Sequence, residues 1–258
     1  MCIFFAIPVV TQIALNWILI AALNVNAIFL TTDYLQNAYL ITAGNSLVKI
    51  DSAGQTLFSY NQNRFGQLKL VDATNPLKLI LSYPDYGTVM MLDNTLSEMG
   101  SISLKPLGII DYHALCFSPR DNNIWVFDEN DFKLKKIDRN GLVTLESTDM
   151  FQQLGYAIHP VFMQEENQHL FLSDTSLGIL LFDVYGVYYE TLPFKNITEF
   201  QVRDDRIFFR KDYRMHSYHM KSLEEKYYTL PDTSLLSVRL ENNRLYELKP
   251  DTLKLYHF

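Results

Sequence analysis

Six variants of one phrase recur along the chain and set its period. Each is a short apolar strand, a polar turn, and a second strand that ends in an aliphatic or aromatic residue followed by Asp or His. The endings are Lys49-Ile50-Asp51, Met91-Leu92-Asp93, Lys136-Ile137-Asp138, Leu181-Phe182-Asp183, Ser217-Tyr218-His219 and Leu255-Tyr256-His257. They stand about 42, 45, 45, 36 and 38 residues apart, the length of one four-stranded propeller blade. The repeat predicts an all-β protein: a six-bladed β-propeller of four-stranded antiparallel blades over residues 23–258.

The third unit reads most clearly, with strands over Ala114–Ser118, Asn123–Asp128, Leu134–Asp138 and Leu142–Ser147 and Arg139-Asn140-Gly141 as a hairpin turn. A polar turn ahead of the second strand is repeated as well: Asp121-Asn122-Asn123, Glu166-Asn167-Gln168, Asp204-Asp205-Arg206 and Glu241-Asn242-Asn243. Asn and Asp suit such turns because they tolerate left-handed backbone and hydrogen-bond it locally. The sixth unit has only three strands before the chain stops. Leu23-Asn24-Val25-Asn26-Ala27 alternates apolar and polar residues at strand period and is the candidate for the missing fourth.

Composition agrees with this architecture. Of 258 residues 48% are apolar and 20% charged, enough to bury a core, and 16 Tyr with 17 Phe favour strands over helices. A net charge of −7 without a run of Lys or Arg argues against nucleic acid as a partner, since phosphate binding needs a clustered basic face.

The N-terminus is different. Residues 1–32 carry no charged side chain, and Ile3 to Ala22 is nearly continuous apolar sequence, long enough to cross a bilayer as a helix. Residues 1–22 therefore read as a signal peptide or transmembrane anchor, an apolar helix ahead of the propeller, and the protein as exported, either periplasmic or membrane-anchored. The alternative is a buried core helix. Val25-Asn26-Ala27 fits a cleavage site, and cleavage there would remove the candidate closing strand. The two uses of that stretch exclude each other.

Three of the six endings extend into a D-x-x-G turn: Asp51-Ser52-Ala53-Gly54, Asp138-Arg139-Asn140-Gly141 and Asp183-Val184-Tyr185-Gly186. Here the chain resembles the six-bladed propellers of the NHL and TolB-like type, and also uncharacterised exported bacterial propeller proteins. Asp93-Asn94-Thr95-Leu96 departs from the pattern, as do the last two units, where His replaces Asp. Hydrolases and lactonases of similar fold hold calcium over the central channel, and that resemblance implies calcium as an alternative cofactor.

Candidate functional residues follow from the geometry of such a ring. The loops between second and third strands face the channel mouth and bring Asp85, Asp131, Asp174, Asp212 and Asp251, with Asn45 in the first blade. An acidic ring would attract a cation or a basic partner; turn chemistry is the other explanation for the same residues. Arg210, Lys211 and Arg214 form a local basic patch suited to docking a partner, although strand alternation would place several of these charges on a solvated face. His113 and His159 fall near inner strands of the third and fourth blades. His219 and His257 sit at repeat-equivalent strand ends. Cys116 reads as a small core residue and no disulfide with Cys2 is expected. No HExxH, GxSxG, zinc-type Cys cluster or phosphate-cradling glycine loop is present. The expected function is a non-enzymatic binding or scaffold module that takes a protein or envelope component, without a cofactor. The alternative is a calcium-dependent propeller hydrolase or lactonase.

Overall fold

The computed structural model describes residues 10–258. Two short strands lead, β1 (Val10–Ile13) and β2 (Ile18–Asn24). Blade 1 comprises β3 (Ala27–Thr32), β4 (Ala38–Thr42), β5 (Ser46–Ile50) and β6 (Thr56–Asn61). Blade 2 comprises β7 (Leu70–Asp72), β8 (Leu79–Tyr83), β9 (Thr88–Leu92) and β10 (Glu98–Ser103), and blade 3 β11 (Leu115–Ser118), β12 (Asn123–Asp128), β13 (Lys133–Ile137) and β14 (Val143–Glu146). A short helix, α1 (Met150–Leu154), leads to blade 4, with β15 (Phe162–Glu166), β16 (His169–Asp174), β17 (Gly178–Asp183) and β18 (Tyr188–Leu192). Blade 5 holds β19 (Phe200–Arg203), β20 (Arg206–Lys211), β21 (Arg214–His219) and β22 (Glu224–Thr229), and blade 6 β23 (Ser237–Glu241), β24 (Arg244–Leu248) and β25 (Thr252–His257). These form six separate antiparallel meanders, the six-bladed propeller that the repeat predicts.

Each strand alternates its side chains between the two neighbouring blades, so the core is a ring of inter-blade layers rather than one central mass. One layer packs Leu79, Leu81 and Tyr83 of blade 2 on Tyr39, Ile41 and Leu47 of blade 1. The next packs Val89 and Met91 on Phe117, Ile124 and Val126 of blade 3. Cys116 is free and buried in the layer between blades 3 and 4, beside Trp125 and Leu172, and burial pushes its thiol well up. The layer between blades 6 and 1 closes the ring, with Leu253 and Leu255 against Leu30 and Leu40.

The fourth strand of blade 6 is β2. It pairs antiparallel with β25, from Ile18↔His257 to Asn24↔Thr252, with a bulge between Leu19 and Ala21. The N-terminus thus supplies the closing strand, five residues earlier than the alternation over 23–27 indicates. Ala27 is already committed to the inner strand of blade 1, and Asn24 to Asn26 turn the corner: the Val25 N–H donates to the Asp251 carbonyl and the Asn26 carbonyl accepts from Ala43. The apolar helix expected ahead of the propeller is corrected over its described part. Residues 10–13 and 18–24 are strands; β1 adds parallel to the outer edge of blade 5, from Val10↔Glu225 to Ile13↔Tyr228. Ala21 and Leu23 face the blade 6–blade 1 layer while Ile18, Leu19 and Ile20 face outward, so the uniform apolarity that suggests a helix hides an inside and an outside. Residues 1–9 lie outside the described part. Among the described residues no helix is long and apolar enough to cross a membrane.

The D-x-x-G turns share one geometry. Asp51 Oδ1 accepts from the N–H groups of Ala53 and Gln55, Asp138 from Asn140 and Leu142, and Asp183 from Tyr185 and Val187, all at 2.8–2.9 Å. The fourth residue is left-handed, at φ 88°, 77° and 76° for Gly54, Gly141 and Gly186, a region open to glycine at little cost. Blade 2 keeps this turn without the glycine. Asp93 accepts from Thr95 and Ser97, and Leu96 takes φ 63°. Its side chain is buried in the blade 1–blade 2 layer, which offsets the strain of about 1–2 kcal/mol. In blade 5 His219 takes the aspartate's place, its Nδ1 accepting from the Ser222 N–H at 3.1 Å.

Candidate functional site at the channel mouth

The innermost strand of every blade is a sheet edge facing the channel, and its outward backbone groups need partners that no further strand provides. Side chains of the neighbouring blade supply them. Gln164 of β15 donates to the Val202 carbonyl at 3.1 Å and accepts from the Val202 N–H at 2.9 Å. Gln201 of β19 repeats the clamp on Leu240, at 3.3 and 2.8 Å. Asp72 of β7 accepts from the Phe117 N–H at 2.6 Å, and Arg239 of β23 donates to the carbonyls of Phe200 at 3.0 Å and Leu30 at 3.3 Å. Burial raises the Asp72 carboxyl above its ordinary range.

At one end of the channel these clamps surround a cavity of about 220 Å³ lined by Asp33, Asp72, Gln164, Glu166, Arg203 and Glu241, among others. Glu241 sits at its wall and is buried. It accepts from the Thr32 hydroxyl at 2.7 Å, the Gln201 amide at 2.9 Å and the Arg203 guanidinium at 3.3 Å. Burial raises its carboxyl, with Thr32 and Arg203 opposing. The charge here is consumed by holding blades 5, 6 and 1 together.

The other end is wider, about 640 Å³, and separated from the first by Leu70 and Phe162, which line both. It lies on the face that carries the loops between second and third strands. Four aliphatic residues stand around it: Ile28, Ile110, Val161 and Leu236, which start or precede the inner strands of blades 1, 3, 4 and 6 and are 56%, 66%, 39% and 46% exposed. The adjoining Tyr86 is exposed as well. Polar groups between them are Lys69, Asp85, Asp111, His113 and Glu199. Glu199 is already engaged, by the Ser237 hydroxyl at 2.7 Å and Arg239 at 3.3 Å.

Of the five loop aspartates, Asp85 lines this mouth, accepting from the Gln67 N–H at 2.9 Å. The other four lie on the same face away from the cavity lining. Asp131 pairs with Lys135 at 2.6 Å, and that hydrogen bond holds its carboxyl below the ordinary range. Asp174 accepts from the N–H groups of His159, Ser176 and Leu177. Asp212 occupies the β20–β21 turn at φ 55°, and Asp251 accepts from the Thr252 hydroxyl at 3.0 Å. The ring does not bring these carboxylates together; among the described residues no group of three or more His, Cys, Asp or Glu side chains is placed to hold a metal ion. The basic residues do share one place, the tip of the β20–β21 hairpin. Lys211 and Arg214 are cross-strand partners, Arg214 lies 4.4 Å from the Tyr227 ring centre, and Arg210 reaches the Leu236 carbonyl at 3.4 Å.

The aliphatic rim and the clamps escape a reading confined to turns. Their signal is nonetheless present: Gln164 and Gln201 sit at equivalent places in their inner strands, and Ile28, Ile110, Val161 and Leu236 stand next to or near the start of theirs.

Comparison with known proteins defines the class and goes no further. No protein-family model and no curated protein matches the chain. Solved structures do. The Pan2 WD40 domain of Neurospora crassa superposes with a TM-score of 0.69 at 10% identity, covering 93% of this chain and 95% of that one. A catalytically inactive virginiamycin B lyase from Staphylococcus aureus, solved with quinupristin, gives 0.67 at 10% identity over 94% and 100%. A streptogramin B lyase gives 0.62 at 11% over 91% and 84%. The chain is a six-bladed β-propeller with four-stranded blades, and identities this low establish the fold alone.

Proposed function

We propose that this propeller is a non-enzymatic binding module of the cell envelope, exported or membrane-anchored, that takes a protein or envelope component at the wide mouth of its channel. The observation that carries the reading is the exposed aliphatic rim. Four large apolar side chains from four blades surround one concavity, where an apolar anchor from a partner would be desolvated on several sides at once. The Arg210, Lys211 and Arg214 hairpin tip stands on the same face as a flanking polar contact. The uncharged, mostly apolar residues 1–9 ahead of β1 are the feature that supports placement at the envelope.

The test is site-specific photocrosslinking in the native cell. Probes at Ile110 and Leu236 should each yield the same discrete adduct, and a probe at Tyr189 on the outer edge of blade 4 should not. Replacing Ile110 and Leu236 together by Asp should abolish the adduct formed from a probe at Ile28 without lowering the melting temperature. Adducts spread equally over rim and edge would refute the mouth as the binding site.

A further inference from the structure

The outer rim of the propeller is charged except in one sector. The fourth strands of blades 2 to 5 each carry glutamate: Glu98, Glu146, Glu190, and Glu224 with Glu225. Those of the neighbouring blades 1 and 6, β6 and β2, carry no charge, and nor does β1 on the outer edge of blade 5. This neutral sector is apolar and uncovered. Ile18, Leu19 and Ile20 of β2 are 55%, 52% and 39% exposed, Leu57 of β6 is 43% exposed, and Val10 and Phe58 are exposed as well. The bulge after Leu19 accounts for three consecutive outward residues, since it leaves Ile20 without a partner on β25. The strands are contiguous: a Cβ at Gly54, in the turn between β5 and β6, would stand 2.9 Å from that of Ala21 on β2. Trp17, between β1 and β2, donates to the Thr229 carbonyl at 2.9 Å and sets its ring edge-on to Phe258. Sheets facing water ordinarily protect an edge with charge or proline, and β2, the edge strand of its sheet, has neither.

We propose that this sector is a lipid-binding surface: blades 6 and 1 rest edge-on against a bilayer, with the channel axis along the membrane plane. The occupant follows from the charge pattern and from the sequence ahead of the patch. Residues 1–9 are uncharged and mostly apolar and join the fold at Val10, so attachment through them tethers the protein at this edge. Anionic headgroups repel the glutamates of the other blades and leave the neutral sector to face them. The backbone sets the depth. Hydrocarbon would leave the free edge of β2 unpaired, so the sheet sits among hydrated headgroups and only side chains reach the acyl boundary. Trp17 suits that level. The inference rests on the membrane-anchored form of the proposed function and goes beyond it: the folded domain itself contacts lipid, and the wide mouth opens sideways along the bilayer.

The experiment mixes the full chain with vesicles of phosphatidylethanolamine and phosphatidylglycerol. It reads flotation, and quenching of tryptophan fluorescence by brominated acyl chains. The chain has two tryptophans, and Trp125 is buried between blades 3 and 4. Brominated lipid should therefore quench Trp17 alone, and Trp17→Phe should remove the quenchable signal. Leu19→Glu combined with Ile20→Glu should weaken vesicle partition by about tenfold or more and protect Trp17. Leu57→Glu, on a different strand, should weaken it severalfold and keeps the test open if the β2 variant folds poorly. Tyr189→Glu on blade 4 should change nothing. Flotation without Trp17 quenching, or equal weakening by Tyr189→Glu, would overturn the lipid face while leaving attachment through residues 1–9 intact. No flotation at all would overturn both, and rim crosslinking would still read partner binding. A concentration-dependent dimer lost in the β2 variant, without vesicle binding, would overturn the lipid face in favour of a second copy covering the edge.

Discussion

Blade 3 and blade 6 grow from the same repeat and obtain their fourth strand by different routes. Blade 3 is continuous, and its buried charges are settled close to home. Lys135, nearly inaccessible, donates to Asp128 and Asp131 at 2.6 Å each, and Lys136 reaches Asp121 at 2.7 Å while lying 4.7 Å from the Trp125 ring centre. Trp125 in turn donates to Glu165 of blade 4 at 2.6 Å. Blade 6 borrows β2 from the opposite end of the chain, and the join is apolar, Ala21 and Leu23 against Leu253 and Leu255. Its middle strand carries Glu247, fully buried, with neither carboxylate oxygen hydrogen-bonded. The nearby lysines go elsewhere: Lys249 and Lys254 both donate to Asp232, at 2.8 and 3.2 Å, and hold its carboxyl well below the ordinary range. Blade 3 settles its two buried lysines within its own hairpins. A blade assembled across the chain relies on apolar packing and leaves an acid unmatched.

The largest effect is expected at the seam between β2 and β25. Deleting residues 1–24 should abolish the cooperative thermal transition by circular dichroism, because blade 6 loses its outer strand and Leu253 and Leu255 lose their cover. Deleting residues 1–13 should cost far less, since β1 only adds to an already complete blade 5. Equal losses from the two deletions would mean that β2 does not close the ring.

In blade 3, Lys135→Met should destabilise by about 3–5 kcal/mol in urea unfolding, as it leaves the buried Asp128 charge unpaired. A loss below about 1 kcal/mol would show that this pair matters no more than a surface bridge.

Glu247 gives the opposite sign. Burial pushes its carboxyl up from 4.5 to about 7. The folded state therefore favours the protonated acid, so its contribution is complete below pH 4.5 and is lost as pH rises toward 7. Glu247→Gln should remove this dependence and exceed the parent in stability by up to about 3 kcal/mol at pH 8. Parallel stability–pH curves for parent and variant would contradict it.

The smallest effect belongs to a turn. Gly141→Ala should cost about 1–2 kcal/mol from left-handed backbone alone, because an added Cβ there meets only Ile102 at an ordinary 3.6 Å.

Much of this architecture is legible in the residues themselves. Blade number, strand order and the left-handed turns at Asn122, Asn167, Asp204, Asp205 and Asn242 follow from a recurring phrase, because local chemistry and overall fold agree there. What escapes depends on partners far away in sequence. The strand identity of Ile18–Asn24 exists only because β25 stands beside it, and its apolar run alone suits a helix equally well. The clamps Gln164 and Gln201 look like ordinary polar residues until a neighbouring sheet edge is placed against them.

The seam in blade 6 also dictates an order of events during synthesis. β2, made before any of the six blades' inner strands, finds its partner only when β25 has emerged. Throughout elongation an uncharged apolar segment must wait, exposed, while five blades form behind it. Such a chain is vulnerable to self-association for longest at this early segment, and its final folding step brings β2 and β25 together. Linking β25 directly to β2 and opening the ring at the loop between blades 3 and 4 would move that waiting period elsewhere. A permutant of that kind would carry the seam in a different pair of blades and release residues 1–24 from their delay.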